Sequence, residues 1–543
     1  MRVRPGPVPV EVSIDEIRRL LDEAEKRPLT KVETEQLLNI ALSYFHVGEV
    51  LADRSATLAR LRKLLFGSTS EKTADVVDKS ATPEQEATAA AGTGGDDQPA
   101  TEHPPAKGHG RNAAEDYVGA TRKCVPHETL RTGEKCPACG NGKVYKLAEP
   151  KVIVRVSGGQ PLQAQVFEIE RLRCNLCGEI FTAKTPDGLG DEKYDATAAS
   201  MIGLLRYGTG LPFNRLERLQ ESLGIPLPAS TQWEIAAACA KKIEPAFTEL
   251  VRQAAQGEIV HNDDTSMEIL ALRASLRDRS PDDEDERTGI FTTGIVARVE
   301  DRTIALFFTG RQHAGENLAD LLQQRDAEAP PPIQMCDGLS RNLPKQFAVV
   351  LGNCLAHGRR QFVNIVDNFP TECRVVLEAL REVYRIDADA KEQRLSPGQR
   401  LVLHQTHSTP VMAELKRWIE AQLTEHKTEP NSRLGKAINY LLKRWEPLTL
   451  FLRQQGAPLD NNLCERALKQ AIIHRKNSLF YKTENGAKVG DTFMSLIHTA
   501  ELCGANPFDY LTELQRHADD VARDPGAWMP WNFAEAVANA AAR

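Results

Sequence analysis

Apolar positions along the chain change period several times, and each change marks an element or domain boundary. Over residues 12–66 they recur at helical spacing. Ile14, Ile17, Leu20 and Leu21 open one face, Leu37, Leu38, Ala41 and Tyr44 continue it, and Leu51, Leu58, Leu61 and Leu65 follow with charged residues between. This predicts an amphipathic helical hairpin or short coiled coil, packed on its own chain or on a second copy. Residues 72–115 carry Ala, Thr, Gly, Pro, Glu and Asp with almost no large apolar side chains. Such a stretch cannot bury enough surface to offset its ordering entropy, and a disordered linker is expected.

Residues 116–186 show short β-like runs, Val152 to Val156 and Val166 to Ile169, between two knuckles. These are Cys136-Pro137-Ala138-Cys139-Gly140 and Cys174-Asn175-Leu176-Cys177-Gly178. Each Cys-x-x-Cys turn presents two thiolates to one metal, and two knuckles complete a closed S₄ site, so a zinc ribbon is expected. Cys124-x-x-His127 reads as an ordinary loop pair. Residues 195–250 return to helical spacing over Thr197–Tyr207, Phe213–Leu223 and Thr231–Leu250. The break at Leu223-Gly224-Ile225-Pro226, with Ser230-Thr231 as a helix cap, predicts helix-turn-helix punctuation or a plain helical subdomain. From residue 257 strands are expected at Glu258–His261, Ile290–Val299, Ile304–Thr309, Ile333–Cys336 and Phe347–Leu351. Residues 359–456 read as helical, and a last helix opens at Asp460-Asn461-Asn462.

The chain has 543 residues, room for three to five domains, and a formal net charge of −7. The average hides segregation. Asn431–Lys482 holds ten Lys/Arg against three Asp/Glu, a local balance of +7, and local charge sets the field at a groove. Acids cluster instead at Asp282–Glu286, read as a solvated loop. Eleven cysteines, an odd number with two Cys-x-x-Cys pairs, fit a reduced intracellular protein. Neither a signal peptide nor an apolar run of membrane-spanning length is visible, so a cytoplasmic protein without membrane partners is expected.

Against this background three acids stand out. Asp263 follows the run Glu258–His261, Asp337 follows Ile333–Cys336, and Glu465 lies about one turn into the last helix. Two strand-end acids and one helix acid beside a basic surface suit two-metal phosphoryl transfer on nucleic acid, as in ribonuclease-H-like nucleases. Arg and Lys nearby would hold phosphates in register. Spacing alone leaves alternatives open. Asp264 could replace Asp263, Asp460 or Asn461 could be the helix cap, and Glu465 could pair with Lys469. Cys354-x-x-His357 has no second pair nearby, and a packing role is expected for Cys354.

These motifs resemble the insertion sequence 66 family of transposases over nearly the whole chain. Leu64-Leu65-Phe66-Gly67-Ser68 to Lys72 is similar to its leucine-rich region, and the paired knuckles to its zinc-binding domain. Tyr207-Gly208-Thr209-Gly210-Leu211-Pro212-Phe213-Asn214-Arg215 is similar to its helix-turn-helix stretch. The catalytic region is represented by His261–Thr265, Cys354–Phe362 and Asp460–Asn477, and the closing motif by Pro507-Phe508-Asp509-Tyr510-Leu511. Two departures occur: Leu339 stands where an aromatic is usual, and His474 and Ser478 flank Arg475-Lys476-Asn477 in place of Gly and Trp.

The resemblance implies a multidomain α+β protein with a ribonuclease-H-like DDE core. Its layout is helices at 12–71, linker 72–115, zinc ribbon 116–186, helix-turn-helix 195–250, core 257–500 with a helical insertion at 359–456, and a helical tail at 501–543. It assigns Asp263, Asp337 and Glu465 as catalytic, holding Mg²⁺ or Mn²⁺, with Cys136, Cys139, Cys174 and Cys177 holding structural Zn²⁺. It suggests Arg215, Arg359, Arg360, Arg466, Lys469, Arg475 and Lys476 as DNA contacts. The expected partners are terminal inverted repeats, target DNA, further copies of the chain and small accessory proteins, at the nucleoid. The alternative is a catalytically silent repressor bound to the same ends. A stand-alone nuclease is a third reading, but it would leave the first 250 residues without a use.

Overall fold

The structure is a computed structural model that describes residues 192–277 and 287–542. It also describes 129–139, 141–145, 159–173, 180–184 and Ala24, Arg27, Thr30, Lys31, Thr34, Cys124 and Pro186. The expected linker, the Val152–Val156 run, the Asp282–Glu286 loop, His127, Cys174, Cys177 and nearly all of the expected N-terminal helices lie outside the described residues.

The elements in chain order are β1 (Arg171–Arg173), β2 (Ile180–Thr182), α1 (Ala196–Gly203), α2 (Phe213–Ser222), α3 (Ala229–Ala254), β3 (Ile259–Ser266) and α4 (Leu270–Arg277). There follow β4 (Phe291–Val299), β5 (Arg302–Gly310), α5 (Ala314–Leu322), β6 (Ile333–Cys336), β7 (Val350–Asn353) and α6 (Leu355–Val363). The helical stretch continues with α7 (Pro370–Glu392), α8 (Pro397–Leu403), α9 (Thr409–Thr424), α10 (Arg433–Lys443) and α11 (Trp445–Leu448). The chain closes with α12 (Asn462–Ser478), α13 (Glu484–Leu502), α14 (Pro507–Arg516), α15 (Ala518–Arg523) and α16 (Phe533–Ala541). The chain divides into two compact units, Met1–Pro83 with Val363–Glu378 and Glu84–Phe362 with Ala379–Arg543. All the strands among the described residues belong to the second.

A five-stranded mixed sheet organises the second unit, in the order β5-β4-β3-β6-β7. β4 is antiparallel to both β3 and β5, while β3, β6 and β7 run parallel. The expected strand at Ile333–Cys336 is β6. β3 corrects its expectation, because pairing with β4 carries it through Asp263 and Asp264 to Ser266. Its first four residues are buried and its last four progressively exposed, so the acids sit where the strand leaves the core.

β5 ends the sheet, and its free edge is closed by side chains of α13. Thr499 Oγ1 accepts the Ala305 N–H at 3.0 Å, Ser495 Oγ accepts that of Phe307 at 3.0 Å, and Asp491 Oδ2 accepts that of Thr309 at 2.7 Å. Four helical residues rise about 6 Å and two strand residues about 6.7 Å, so a helix with acceptors every fourth position matches alternate amides of a strand. The edge is thereby denied to another chain. Asp491 is fully buried there, and burial pushes its carboxyl up to about 8 against the opposing Thr309 hydrogen bonds.

The helices at 195–250 share this core. Ala236, Ile243 and Leu250 of α3 pack in one cluster with Ile295, Phe307, Phe493 and Tyr510. α3 starts at Ala229 after Pro228, with no side-chain cap, in place of the Ser230-Thr231 cap expected. In the cysteine-bearing segment, Val166–Ile169 is not a strand; the hairpin arms are β1 and β2, which flank residues 174–179. Among the described residues no helix is long and apolar enough to cross a membrane.

Thr499→Val keeps the shape of the α13 contact and removes the acceptor for the buried Ala305 amide. We expect a loss of about 1–3 kcal/mol in urea unfolding, and Thr499→Ser, which restores the hydroxyl, should recover most of it.

Candidate active site

The parallel register Ile259↔Ile333, Val260↔Gln334, His261↔Met335, continued by two residues, brings Asp263 beside Asp337. Both stand at the end of the sheet where β3 emerges from the core. Asp337 is oriented by two donors on Oδ1, the Leu339 N–H at 3.0 Å and Asn342 Nδ2 at 2.6 Å. The Asn342 carbonyl accepts from Asn262 Nδ2 at 2.8 Å and Gln334 Nε2 at 2.6 Å, and Gln334 Nε2 also reaches Asn262 Oδ1 at 2.8 Å. This buried amide network fixes the floor under the two acids. The sequence reading missed it, although Gln334 inside an otherwise apolar strand was a usable signal.

Glu465 arrives on α12. That helix packs over β3 and β4 because residue 294, paired with Asp263, is a glycine. A Cβ there would stand 2.9 Å from Leu468 and 3.5 Å from Cys464 Sγ. Cys464 donates to the Gly294 carbonyl at 3.2 Å. Asn461, fully buried at the helix start, ties it down: its Nδ2 donates to the Asn262 carbonyl at 3.1 Å, and its Oδ1 lies 3.1 Å from His261 Nδ1. Its backbone N–H donates to Cys354 Sγ at 3.2 Å. Asn461 is thus the helix N-cap position, while Asp460 Oδ1 accepts the Asn462 N–H at 3.1 Å.

The electrostatics record the convergence. Burial pushes the Asp263 carboxyl up to about 7, and the charges of Asp337, Asp264 and Glu465 add to it, against a hydrogen bond from the Asp264 amide. Asp264 has a different environment. Alternation along β3 turns it to the other face, where it is 2% exposed and pairs with His313 Nδ1 at 3.0 Å and Arg341 at 3.1 Å. Near Glu465, His357 Nδ1 lies 3.6 Å from Oε1, and both atoms are buried without a hydrogen-bond partner.

The expected phosphate contacts divide into groups. Arg466, Lys469 and Lys476 are exposed along α12, and Arg215 is exposed on α2. Arg359 and Arg360 are half-buried on α6 and have partners. Arg475 is engaged in holding the end of β3, donating to Thr265 Oγ1 at 3.1 Å and to Ser266 Oγ at 2.6 Å. Arg444, counted in the basic stretch but not among the expected contacts, donates to the Gly338 carbonyl at 3.0 Å and lies over the Tyr440 ring. Gly338 leaves room for that guanidinium, because a Cβ there would meet it directly. Leu339, in the place of the usual aromatic, is 44% exposed.

At the first knuckle, Lys135 and Lys143 form a β-bridge, and the Cys136 N–H donates to the Gly142 carbonyl at 2.8 Å. The Gly142 N–H points at Cys139 Sγ, 3.5 Å away. Backbone donors from Gly142 and Asn141 lower the Cys139 thiol from its ordinary value, with a hydrogen bond involving Cys136 in the same direction. Amide donors aimed at sulfur favour the thiolate that a metal requires.

The profile of the transposase IS66 family matches residues 193–489. The uncharacterized protein y4jD of Sinorhizobium fredii is 26% identical, the match covering 91% of this chain and 97% of that protein. The uncharacterized protein y4hP of the same organism is 25% identical over 89% of this chain and 88% of its own.

Two outcomes follow from the Asp263–Gly294 pairing. Gly294→Val should drive α12 off the sheet and cost about 1–3 kcal/mol in chemical unfolding. The raised Asp263 carboxyl holds a proton in the folded chain that the unfolded chain releases near pH 4. Its stabilising contribution is therefore complete below about pH 4 and lost as pH rises through about 7. Thermal melts without added divalent metal should show this decline in the wild type and a shallower one in Asp263→Asn.

Proposed function

The chain belongs to the transposase IS66 family, and we propose that it is a DDE-type DNA transposase whose acids are Asp263, Asp337 and Glu465. What carries this reading is geometric: the strand register sets Asp263 beside Asp337, and Gly294, paired with Asp263, lets the helix that bears Glu465 pack over the same strand. The five-stranded order, an antiparallel half followed by a parallel half, supports a ribonuclease-H-like core with the helices of 359–456 inserted before the final Glu.

The donor set fits Mg²⁺ or Mn²⁺. The acids offer oxygen ligands, the charges of Asp337 and Glu465 add to the raised proton affinity of the buried Asp263, and Glu465 Oε1 is buried without a partner. When bound, such ions supply Lewis-acid stabilisation of the phosphoryl oxygens and an activated nucleophile. Asp263 and Asp337 would hold them from the sheet and Glu465 from the helix. Asn342 and the Leu339 amide keep Asp337 aimed, and Asn461 keeps Glu465 in reach. Arg466, Lys469 and Lys476 line the approach along α12 as phosphate contacts, with Arg215, Arg359 and Arg360 as further basic contacts, while Arg475 holds the end of β3. The reaction is hydrolysis of a phosphodiester at an element end, which consumes water and frees a 3′-hydroxyl, followed by attack of that hydroxyl on a target phosphodiester, which joins the strands and releases the target's own 3′-hydroxyl.

The knuckle geometry at Cys136–Cys139 supports a structural Zn²⁺ completed by Cys174 and Cys177. Within this reading the ribbon and helix-turn-helix recognise the terminal inverted repeats. The N-terminal helices pair copies of the chain across two ends, with small accessory proteins of the element as further partners, at the nucleoid. Binding to ends should weaken steeply with salt, since phosphate contacts release counterions.

Asp263→Asn, Asp337→Asn and Glu465→Gln should each reduce Mg²⁺-dependent cleavage of an end-bearing duplex by about 10³-fold or more, as loss of several kcal/mol of Lewis-acid stabilisation requires. Binding to the ends, read by gel shift, should remain. Near-normal cleavage by one variant would remove that residue from the cage. A wild-type chain that binds ends but cleaves with neither Mg²⁺ nor Mn²⁺ would support the repressor alternative.

A further inference from the structure

Glu465 belongs to two candidate ligand sets of different chemical character. One, within the proposed function, is the oxygen set with Asp263 and Asp337. The other joins it to Cys354, which follows β7, and His357, near the start of α6. The ligand atoms of Cys354, His357 and Glu465 all lie within 4.8 Å of one another. The backbone builds this grouping. The Leu355 N–H donates to the Leu459 carbonyl at 2.9 Å and the Asn461 N–H to Cys354 Sγ, so the segments entering α6 and α12 run side by side. His357 and Glu465 then stand about one turn into neighbouring helices.

From this grouping we propose that Cys354, His357 and Glu465 form a second metal site, selective for a borderline-soft divalent cation such as Zn²⁺. Because it shares Glu465 with the catalytic carboxylates, its occupation opposes the Mg²⁺-dependent reaction. Three observations carry the site. His357 Nδ1 and Glu465 Oε1 face each other at 3.6 Å, longer than a hydrogen bond, and neither buried atom has another partner. Two ligands on one tetrahedral Zn²⁺, with bonds of about 2.0–2.2 Å, stand about 3.4 Å apart, so this gap has the size of a shared ion. Cys354 is fully buried, and its sulfur accepts an amide N–H, the outer-shell contact of a ligating thiolate.

Thiolate and imidazole select Zn²⁺ or Co²⁺ over Mg²⁺, whereas the Asp263–Asp337 side offers oxygen alone. Three protein ligands leave a fourth, open position for water. Binding releases the Cys354 thiol proton to solvent and involves no redox change. The site stands on geometry alone; the antagonism rests on the catalytic reading above.

The test titrates the full-length chain with Co²⁺ and follows absorbance. The wild type should take up one equivalent more than His357→Ala or Cys354→Ala, whose ribbon cysteines are intact. The difference spectrum should contain a thiolate-to-cobalt charge-transfer band. His357 is half-exposed, so His357→Ala keeps the test valid if Cys354→Ala fails to fold. Equal stoichiometry in wild type and His357→Ala would overturn the site. In a second arm, Zn²⁺ is added to Mg²⁺-driven cleavage of end DNA. The Zn²⁺ concentration for half inhibition, each protein measured against its own uninhibited rate, should rise about 10–100-fold in His357→Ala, the loss typical of a removed metal contact. Unchanged inhibition with a positive cobalt difference would overturn the antagonism and keep the site. A wild type without cleavage would count against the catalytic reading, with the cobalt arm still deciding the site.

Discussion

The docking of α12 onto β3 is the contact on which the rest of the site depends. Glu465 is about 200 residues from Asp263 in sequence, and nothing local brings them together. Two residues do. Gly294, paired with Asp263, leaves no side chain between the sheet and Cys464 and Leu468. Asn461 fixes the helix start by donating to Asn262, meeting His261 and directing its amide at Cys354. A buried amide that satisfies several elements at once is costly to replace, because each lost partner leaves a desolvated polar group behind. The same residue therefore sets the height of Glu465 above the sheet and its distance from His357.

The period-two alternation of a strand explains why adjacent acids have opposite characters. Asp263 faces α12 among other carboxylates, and its proton affinity is raised. Asp264 lies on the other face, where His313 and Arg341 partner its two carboxylate oxygens. One carboxylate is left with uncompensated repulsion that a cation would relieve, and the other is already satisfied by side chains of the protein. Strand geometry thus separates an acid suited to metal from one suited to structure, which composition cannot do.

Much of the fold could be read from the chain. Apolar periodicity located the strands from β3 to β7, the helical stretch after residue 359 and the last helix, because these elements bury one face or both. It stopped β3 too early, at His261, because Asn262, Asp263 and Asp264 carry little strand propensity; pairing with β4 extends the strand through them. It placed a strand at Val166–Ile169, where apolar residues are exposed, instead of at β1 and β2. The three acids were legible as isolated residues near strand and helix ends. Supports such as Asn342 and Gly294 were not, because they gain their roles only from the elements that fold against them, as do Ser495 and Thr499 of α13 at the sheet edge. Arg475 read as a phosphate contact, yet its guanidinium is committed to Thr265 and Ser266, which a count of basic residues could not reveal.

If Asp263, Asp337 and Glu465 act as one divalent-metal cage, anomalous diffraction from crystals of the full chain grown with Mn²⁺ should show it. Manganese peaks are expected within bonding distance of carboxylate oxygens from all three residues, at the end of β3. Manganese bound elsewhere, with any of the three carboxylates left outside its coordination shell, would contradict it.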